Sequence, residues 1–577
     1  MFQGLLHHRL QAEVSEQKIN TLHRKASTWF ASQGLIEEAL DHALIGGDLE
    51  RAARIVEDCR HDLLNREDWI TLDRYLNQLP EEVAWERPAL ILARAWVLDF
   101  RYQTTRIPPL LREAEACLND DPDVWAESTW GLQGEIDALW SILLAWGGQG
   151  RQALERALSA LERLPSTYAF ARSFAMLILA LAYQMSGQTE KALRTLNDFL
   201  AEAGALPDTI ISRILIGQAY VHVRSGNLHQ AAQVLHQLQQ VADKARLTVS
   251  MVIANWLLGR ISYEWNQLET AGKHLAEVFE NRYGGHYGMV YDSSISLALT
   301  YQAQGESGKA EETLDALRKF SLDIGIVERL NDLDSISARL AILNGDLQSA
   351  LRWVETIPLN IPSSYTFVWL ELPIVTKTRV FIAQGSEASL REAIRLLQEL
   401  LTFTGSLHNT YRQIELLALL ALAYQAQGHT DDALQVLELS VKLAKPGGFI
   451  RTFVDLGPEM VTLLTHLVER GVSPEYLSQV LTAFSSPDGA DSDDSILSTR
   501  GRTKVPEPLF VEPLTRRELE ILKLLDQDLS NQEIAQILVI SLLTVKRHAS
   551  NIYAKLGVSG RMKAVAKAKT LGILPSD

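Results

Sequence analysis

A short motif returns along this chain every 39 or 40 residues between positions 148 and 345: a small or polar residue, usually glycine, with alanine five positions later. The pairs are Gly148 and Ala153, Gly187 and Ala192, Gly226 and Ala231, Asn266 and Ala271, Gly305 and Ala310, and Gly345 and Ala350. Gly428 and Ala433 follow, after a unit around Gly385 and Ala393 that carries a short insertion. Self-similarity at a fixed period confines a sequence to stacked copies of one supersecondary unit. Here that unit is a pair of helices: the glycine ends the first, and the alanine lets the second approach it closely. Four residues beyond six of these alanines stands an apolar partner, Leu196, Leu235, Leu275, Leu314, Val354 or Leu437. A tyrosine recurs four positions before the glycine, at Tyr183, Tyr301 and Tyr424.

These positions resemble the tetratricopeptide pattern, stretched from about 34 residues to about 40. Gly34 with Ala39 and Gly47 with Ala52 carry related pairs toward the N-terminus, and residues 85–125 read as one irregular unit. Residues 20–484 are therefore expected to form a right-handed helical solenoid whose concave surface binds a ligand or a protein partner. Most aromatics and glycines in such an array serve packing. The stretch from Asn281 to Tyr291 departs from the pattern, because glycines replace the polar connector and tyrosines cluster with a histidine. Aromatic rings suit the apolar faces of sugars and other small effectors, so Trp256, Trp265, Tyr283, His286 and Tyr287 are the candidate effector-binding residues.

At 577 residues the chain exceeds one ordinary core, and a hydrophobic fraction of 47% excludes wholesale disorder. No apolar run reaches the length of a membrane span, and the N-terminus lacks the ordered regions of a signal peptide. A cytoplasmic protein without a membrane partner is expected. Only Cys59 and Cys117 are present, too few for a disulfide framework or a zinc site. The net charge of −16 is unevenly placed: residues 514–577 hold ten Lys/Arg against six Asp/Glu, a balance of +4, which leaves −20 for residues 1–513. Any affinity for nucleic acid must come from the small basic end. Residues 485–513, rich in Asp, Ser and Pro, read as a flexible linker.

Three capping signals punctuate residues 514–577. Thr515 with Glu518 and Ser530 with Glu533 match the reciprocal capping box, and Ser541 can cap the following helix alone. In that helix Val545, Ala549, Ile552 and Leu556 form an apolar stripe suited to packing on Ile534, Ala535 and Leu538. The opposite face carries Lys546, Arg547, Ser550 and Asn551, the polar and basic face that a recognition helix brings to base edges and phosphates in the major groove. With Leu514-Thr-Arg-Arg-Glu518, Ser530-Asn-Gln-Glu-Ile-Ala535, Thr544-Val-Lys546, Asn551-Ile552, Lys555-Leu-Gly-Val558 and Arg561, the region resembles the LuxR-type C-terminal DNA-binding domain. The resemblance implies that Lys546 and Arg547 are the leading contacts to double-stranded promoter DNA, with Ser550, Asn551, Thr544, Ser541, His548 and Lys555 beside them. It also implies a homodimer on DNA through the helix 561–571, which presents Val565 and Ala568.

No phosphate-binding loop, nucleophile elbow, His-Glu-x-x-His motif or metal-ligand cluster occurs, so neither an enzyme nor a cofactor is expected. The array followed by a LuxR-type domain resembles the MalT-like, ATP-dependent LuxR regulators, which carry an NTPase module ahead of their array. Residues 1–19 look like a remnant of the junction to that module. The expected fold is all-α: a TPR-like solenoid followed by a LuxR-type helix-turn-helix. The expected function is a transcription regulator whose solenoid senses a small effector or a protein partner, the alternative being an interaction scaffold with a vestigial DNA-binding domain.

Overall fold

In the computed structural model the described residues are 15–120, 129–202, 207–283, 285–326, 330–356, 371–485, 516–526, 529–537, 545, 548–549, 552, 558 and 561–570. They are helical, with no strand among them. The chain divides into two compact units, residues 1–491 and 492–577.

The first unit is a succession of helix pairs, as the repeat predicts. Every anchor lies in the left-handed backbone region, with φ of +77° at Gly148, Gly187 and Gly226, +60° at Asn266 and +81° at Gly345 and Gly428. Asparagine tolerates that conformation better than most residues, which explains why it can stand in for glycine. The amide of the next residue then donates to the carbonyl of the recurring tyrosine: Gln188 to Tyr183 at 2.9 Å, Glu306 to Tyr301 at 2.8 Å, His429 to Tyr424 at 3.0 Å. These bonds satisfy carbonyls that a helix end would otherwise leave bare. Ala153, Ala192, Ala231, Ala271, Ala310, Ala350 and Ala433 are all fully buried where the paired helices meet. The first helix of the array begins at Glu16, a little ahead of the expected start at residue 20.

The two helices of a pair differ in burial for a reason visible in their composition. Thr248–Glu264 is buried on nearly all sides, whereas Leu268–Glu280 buries only the stripe Leu268, Ala271, Leu275 and Val278. An all-round apolar helix belongs to an interior and an amphipathic one to a surface, so the first helices line the inside of the array and the second ones its outside.

The inside is not left open. The turn at Asn65–Glu67 meets the N-terminal ends of three inner helices: Asn65 Oδ1 accepts from the Phe170 amide at 2.9 Å, and the Glu67 carboxylate accepts from Ser250 N and Oγ at 3.0 and 2.6 Å. It also pairs with Arg213 at 3.5 Å. At the other ends of the inner helices, residues 407–456 return onto residues 184–266. Gln184 Nε2 donates to the His408 carbonyl at 2.8 Å, Arg224 to the Leu407 carbonyl at 3.2 Å, and Trp265 Nε1 to the Gly447 carbonyl at 2.8 Å. The Ile450 amide donates to the Glu264 carbonyl at 2.8 Å, and the Glu264 carboxylate receives Thr452 N, Thr452 Oγ1 and Tyr411 OH at 3.2, 2.8 and 3.0 Å. Much of the concave face expected of an open array is covered by these two seams, so the interior is reached as cavities and not as one continuous groove.

The second unit contains the helices Arg516–Asp526, Asn531–Ile537 and Arg561–Thr570 around Ile521, Leu522, Leu525, Ile534, Val545, Ile552, Ala564 and Ala568.

Candidate effector cavities and nucleic-acid interface

Among the described residues, two cavities stand out in the interior of the first unit. One, of about 260 Å³, lies between the inner helices and the segment Asp99–Thr105, with Trp146, Phe174, Arg213, Tyr220 and His286 on its wall. The other, of about 810 Å³, lies among the C-terminal ends of later inner helices and is closed by residues 451–459. Its floor is a network of buried ion pairs: Arg339 with Glu371 at 3.2 Å and with Asp455 at 3.5 Å, Arg379 with Glu415 at 2.8 Å, and Arg451 with Asp455. Burial pushes the Glu415 carboxyl up, but the guanidinium groups of Arg412, Arg379 and Arg339 beside it outweigh burial and hold it down to about 2. Two buried side-chain oxygens on this wall, Gln302 Oε1 and Gln425 Oε1, have no hydrogen-bond partner.

The five residues proposed for effector binding do not converge. Trp256 is fully buried and its Nε1 donates to Asp292 at 2.7 Å, where Arg260 also binds at 2.8 Å, so it is committed to the core. Trp265 stacks on His229 with ring centroids 4.8 Å apart and belongs to the C-terminal seam. Tyr283 is 59% exposed, on the outside against Phe320. Tyr287 is buried with its hydroxyl 2.8 Å from Ser321 Oγ. Only His286 lines a cavity, the smaller one. Neighbours in sequence sit on different sides of a helix start, and this separates them. The partners of His286 there, Asp99, Tyr102, Arg213 and Tyr220, escaped the sequence reading, although a carboxylate inside Trp96-Val-Leu-Asp-Phe100 is an audible signal.

In the second unit, the Ser530 capping box is formed in both directions: Ser530 N donates to Glu533 at 2.7 Å and Glu533 N to Ser530 Oγ at 3.3 Å. These bonds hold the Glu533 carboxyl below its usual range. Val545, Ala549 and Ile552 are buried, as the helical stripe predicts, and Ile534 packs with them. Arg561 donates to the carbonyls of Leu525 and Leu529 at 2.7 and 2.8 Å, closing the end of the helix Arg516–Asp526. His548 is half-buried, and its Nδ1 has no hydrogen-bond partner. Ser541, Thr544, Lys546, Arg547, Ser550, Asn551 and Lys555 lie outside the described residues, as do Thr515, Leu538, Leu556 and the linker from 486 to 513. One expectation is corrected: Ala568 is fully buried in the core of its own domain with Ala564, and Val565 is packed against that core. An alanine consumed by its own core cannot present itself to a partner.

The profile of the MalT-like TPR region matches residues 134–470, more than half of the sequence. The chain belongs to the MalT-like TPR family. Within this MalT-like chain, residues 512–568 also match the luxR family of bacterial regulatory proteins. The HTH-type transcriptional regulator MalT of Vibrio parahaemolyticus is 24% identical over 99% of this chain, and that of Vibrio campbellii 25% identical over 99%. The chain spans 64% of the length of both relatives. A solved Rap protein in complex with competence and sporulation factor is 14% identical, covering 62% of this chain and 98% of that one, with a TM-score of 0.40. Among the described residues no helix is long and apolar enough to cross a membrane.

Proposed function

We propose that this MalT-like protein is a transcription regulator whose C-terminal domain binds promoter DNA and whose solenoid senses an effector or a protein partner. The observation that carries the reading is the LuxR-type core itself: a capping box closed in both directions, with Val545, Ala549 and Ile552 buried against the helix that the box initiates. A helix that commits this stripe to the core has positions 546, 547, 550 and 551 on its other side by helical period, so Lys546, Arg547, Ser550 and Asn551 are the proposed contacts. The names of the two Vibrio relatives support the same reading. The interior cavities support a sensing role, because concave space bordered by a few polar groups is what a small ligand requires. We assign no nucleotide and no catalytic step to this chain.

The test is a gel shift with the full chain against fragments of the source genome, at moderate salt and with excess random competitor. Selective retention of particular fragments is the expected outcome. Binding of every fragment no better than random DNA favours the interaction scaffold instead.

A further inference from the structure

We propose that the cavity beside Asp99 binds a small molecule that joins an aromatic or apolar body to a protonated amine, a chemistry that rests on the sensor reading of the solenoid and specifies its ligand. The walls are dominated by Phe100, Tyr102, Trp146, Phe174, Tyr220 and Met289. At about 260 Å³ the space suits a ligand somewhat smaller than the range of about 300–1,000 Å³ common for drug-sized molecules.

The charge balance selects the head group. Among the described residues Arg213 is the one guanidinium on the cavity wall, and it is already held: it pairs with Glu67 at 3.5 Å and lies over the rings of Phe170 and Phe174 at 4.7 and 4.4 Å. Asp99 is 5% exposed and lines the same space, yet its carboxylate has no hydrogen bond or ion pair among the described residues. Two carboxylates therefore share one cation, and one negative charge is unmatched. Burial accordingly lifts the Asp99 carboxyl to about 7, against the pull of Arg213.

His286 does not supply the missing charge. Its Nδ1 accepts from the Gly288 amide at 3.1 Å, so the ring proton of the neutral imidazole sits on the other nitrogen. Burial pushes this imidazole down to about 4, and it is neutral near pH 7. A ligand ammonium beside Asp99 would complete the pair, and the aromatic walls favour a cation held close to their faces. Above pH 7, where Asp99 is ionised, a carboxylate ligand would add to the excess negative charge and a neutral ligand would leave it unmatched.

The test uses the full chain and three probes of one shape: phenethylamine, phenethyl alcohol and phenylacetate, titrated calorimetrically at pH 8. The amine should bind at least about tenfold more tightly than the alcohol, and phenylacetate most weakly. Asp99→Asn should equalise amine and alcohol, with folding checked by circular dichroism. Ile216→Trp, which fills the cavity, should abolish binding of both while the helical content stays unchanged. Equal affinities for amine and alcohol in the native chain overturn the proposal. So do tighter binding of phenylacetate, an amine preference that survives Asp99→Asn, and failure of all three probes to bind at millimolar concentration. DNA selectivity is read separately by gel shift, so the amine site and the regulator reading can fail independently.

Discussion

Replacing Glu264 with alanine should open the C-terminal seam while the repeat stack stays folded. The buried carboxylate receives three hydrogen bonds, two from Thr452 and one from Tyr411, which hold residues 411 and 452 against the end of the inner helix Thr248–Glu264. Bonds to a charged acceptor each contribute about 1.5–3 kcal/mol. Part of that is offset by the cost of burying the carboxylate, a cost visible in its raised pKa. Arg260 keeps its partner Asp292, so no orphaned cation adds to the loss. Three such bonds, less that offset, leave a net cost of about 3–5 kcal/mol. The Ile450 amide, which donates to the Glu264 backbone and not to its side chain, reports the opening. At about 1.4 kcal/mol per tenfold, hydrogen exchange of residues 450–456 should accelerate roughly 100- to 3,000-fold. Exchange along the helix Ala169–Met185 away from the seam should hardly change, and Glu264→Gln should give a smaller effect. Unchanged protection at 450–456 in the alanine variant would refute the seam as an energetic element.

Four further outcomes are expected. Because the folded Asp99 carboxyl is raised to about 7, its contribution to stability is present below its unfolded value near 4 and is lost as pH rises through about 7. Asp99→Asn should therefore match the native chain at pH 4 and exceed it by about 2–4 kcal/mol at pH 8 in urea unfolding; a constant difference across pH would exclude this. Ser530→Ala should cost the C-terminal domain about 1 kcal/mol through the lost cap, seen as an earlier melting transition of that domain alone. Arg547→Ala should relax preference at one base position at a cost of about 1–3 kcal/mol, whereas Lys546→Ala should weaken all sequences alike and flatten the salt dependence, both read by competition binding. Footprinting should show related half-sites about one helical turn apart, and full affinity for a single half-site would remove the dimer.

The repeat made most of the fold legible, because each pair demands a glycine-type terminator and a small contact residue at fixed spacing. Both can be read without knowing what lies across the interior. The LuxR-type stripe was legible for the same reason: Val545, Ala549 and Ile552 stand at one helical period, and all three are buried. The seams were not legible. Trp265 with Gly447 and Glu264 with Thr452 are separated by 182 and 188 residues, and no local pattern marks such pairs. For the same reason the aromatic cluster at 281–291 misled: proximity in sequence grouped Tyr283, His286 and Tyr287, which the helix start at Tyr287 sends in different directions, with Trp256 and Trp265 of the preceding inner helix and its end. Ala568 shows a further limit. A small residue on a short helix fits equally well against a partner or inside its own domain, and only the surrounding Ile521, Leu525 and Ile552 decide.

A linear array of repeats frays from its ends, because each repeat touches only its neighbours and each can melt with little consequence for those far away. The return of residues 407–456 onto 184–266 changes that, since the last repeats now answer for the stability of the middle ones. Bonds that span 182 to 224 residues cannot form until the helices between them have stacked. Stacking also shortens the effective loop, and the remaining entropy of closure rises by only about 0.6 kcal/mol for each doubling of its length. Folding should therefore run from many local hairpins to one late, all-or-none latching step. A growing polypeptide that ends before residue 447 holds stacked repeats with an unlatched interior, and Trp265 and the Glu264 carboxylate wait there for Gly447 and Thr452, not yet made.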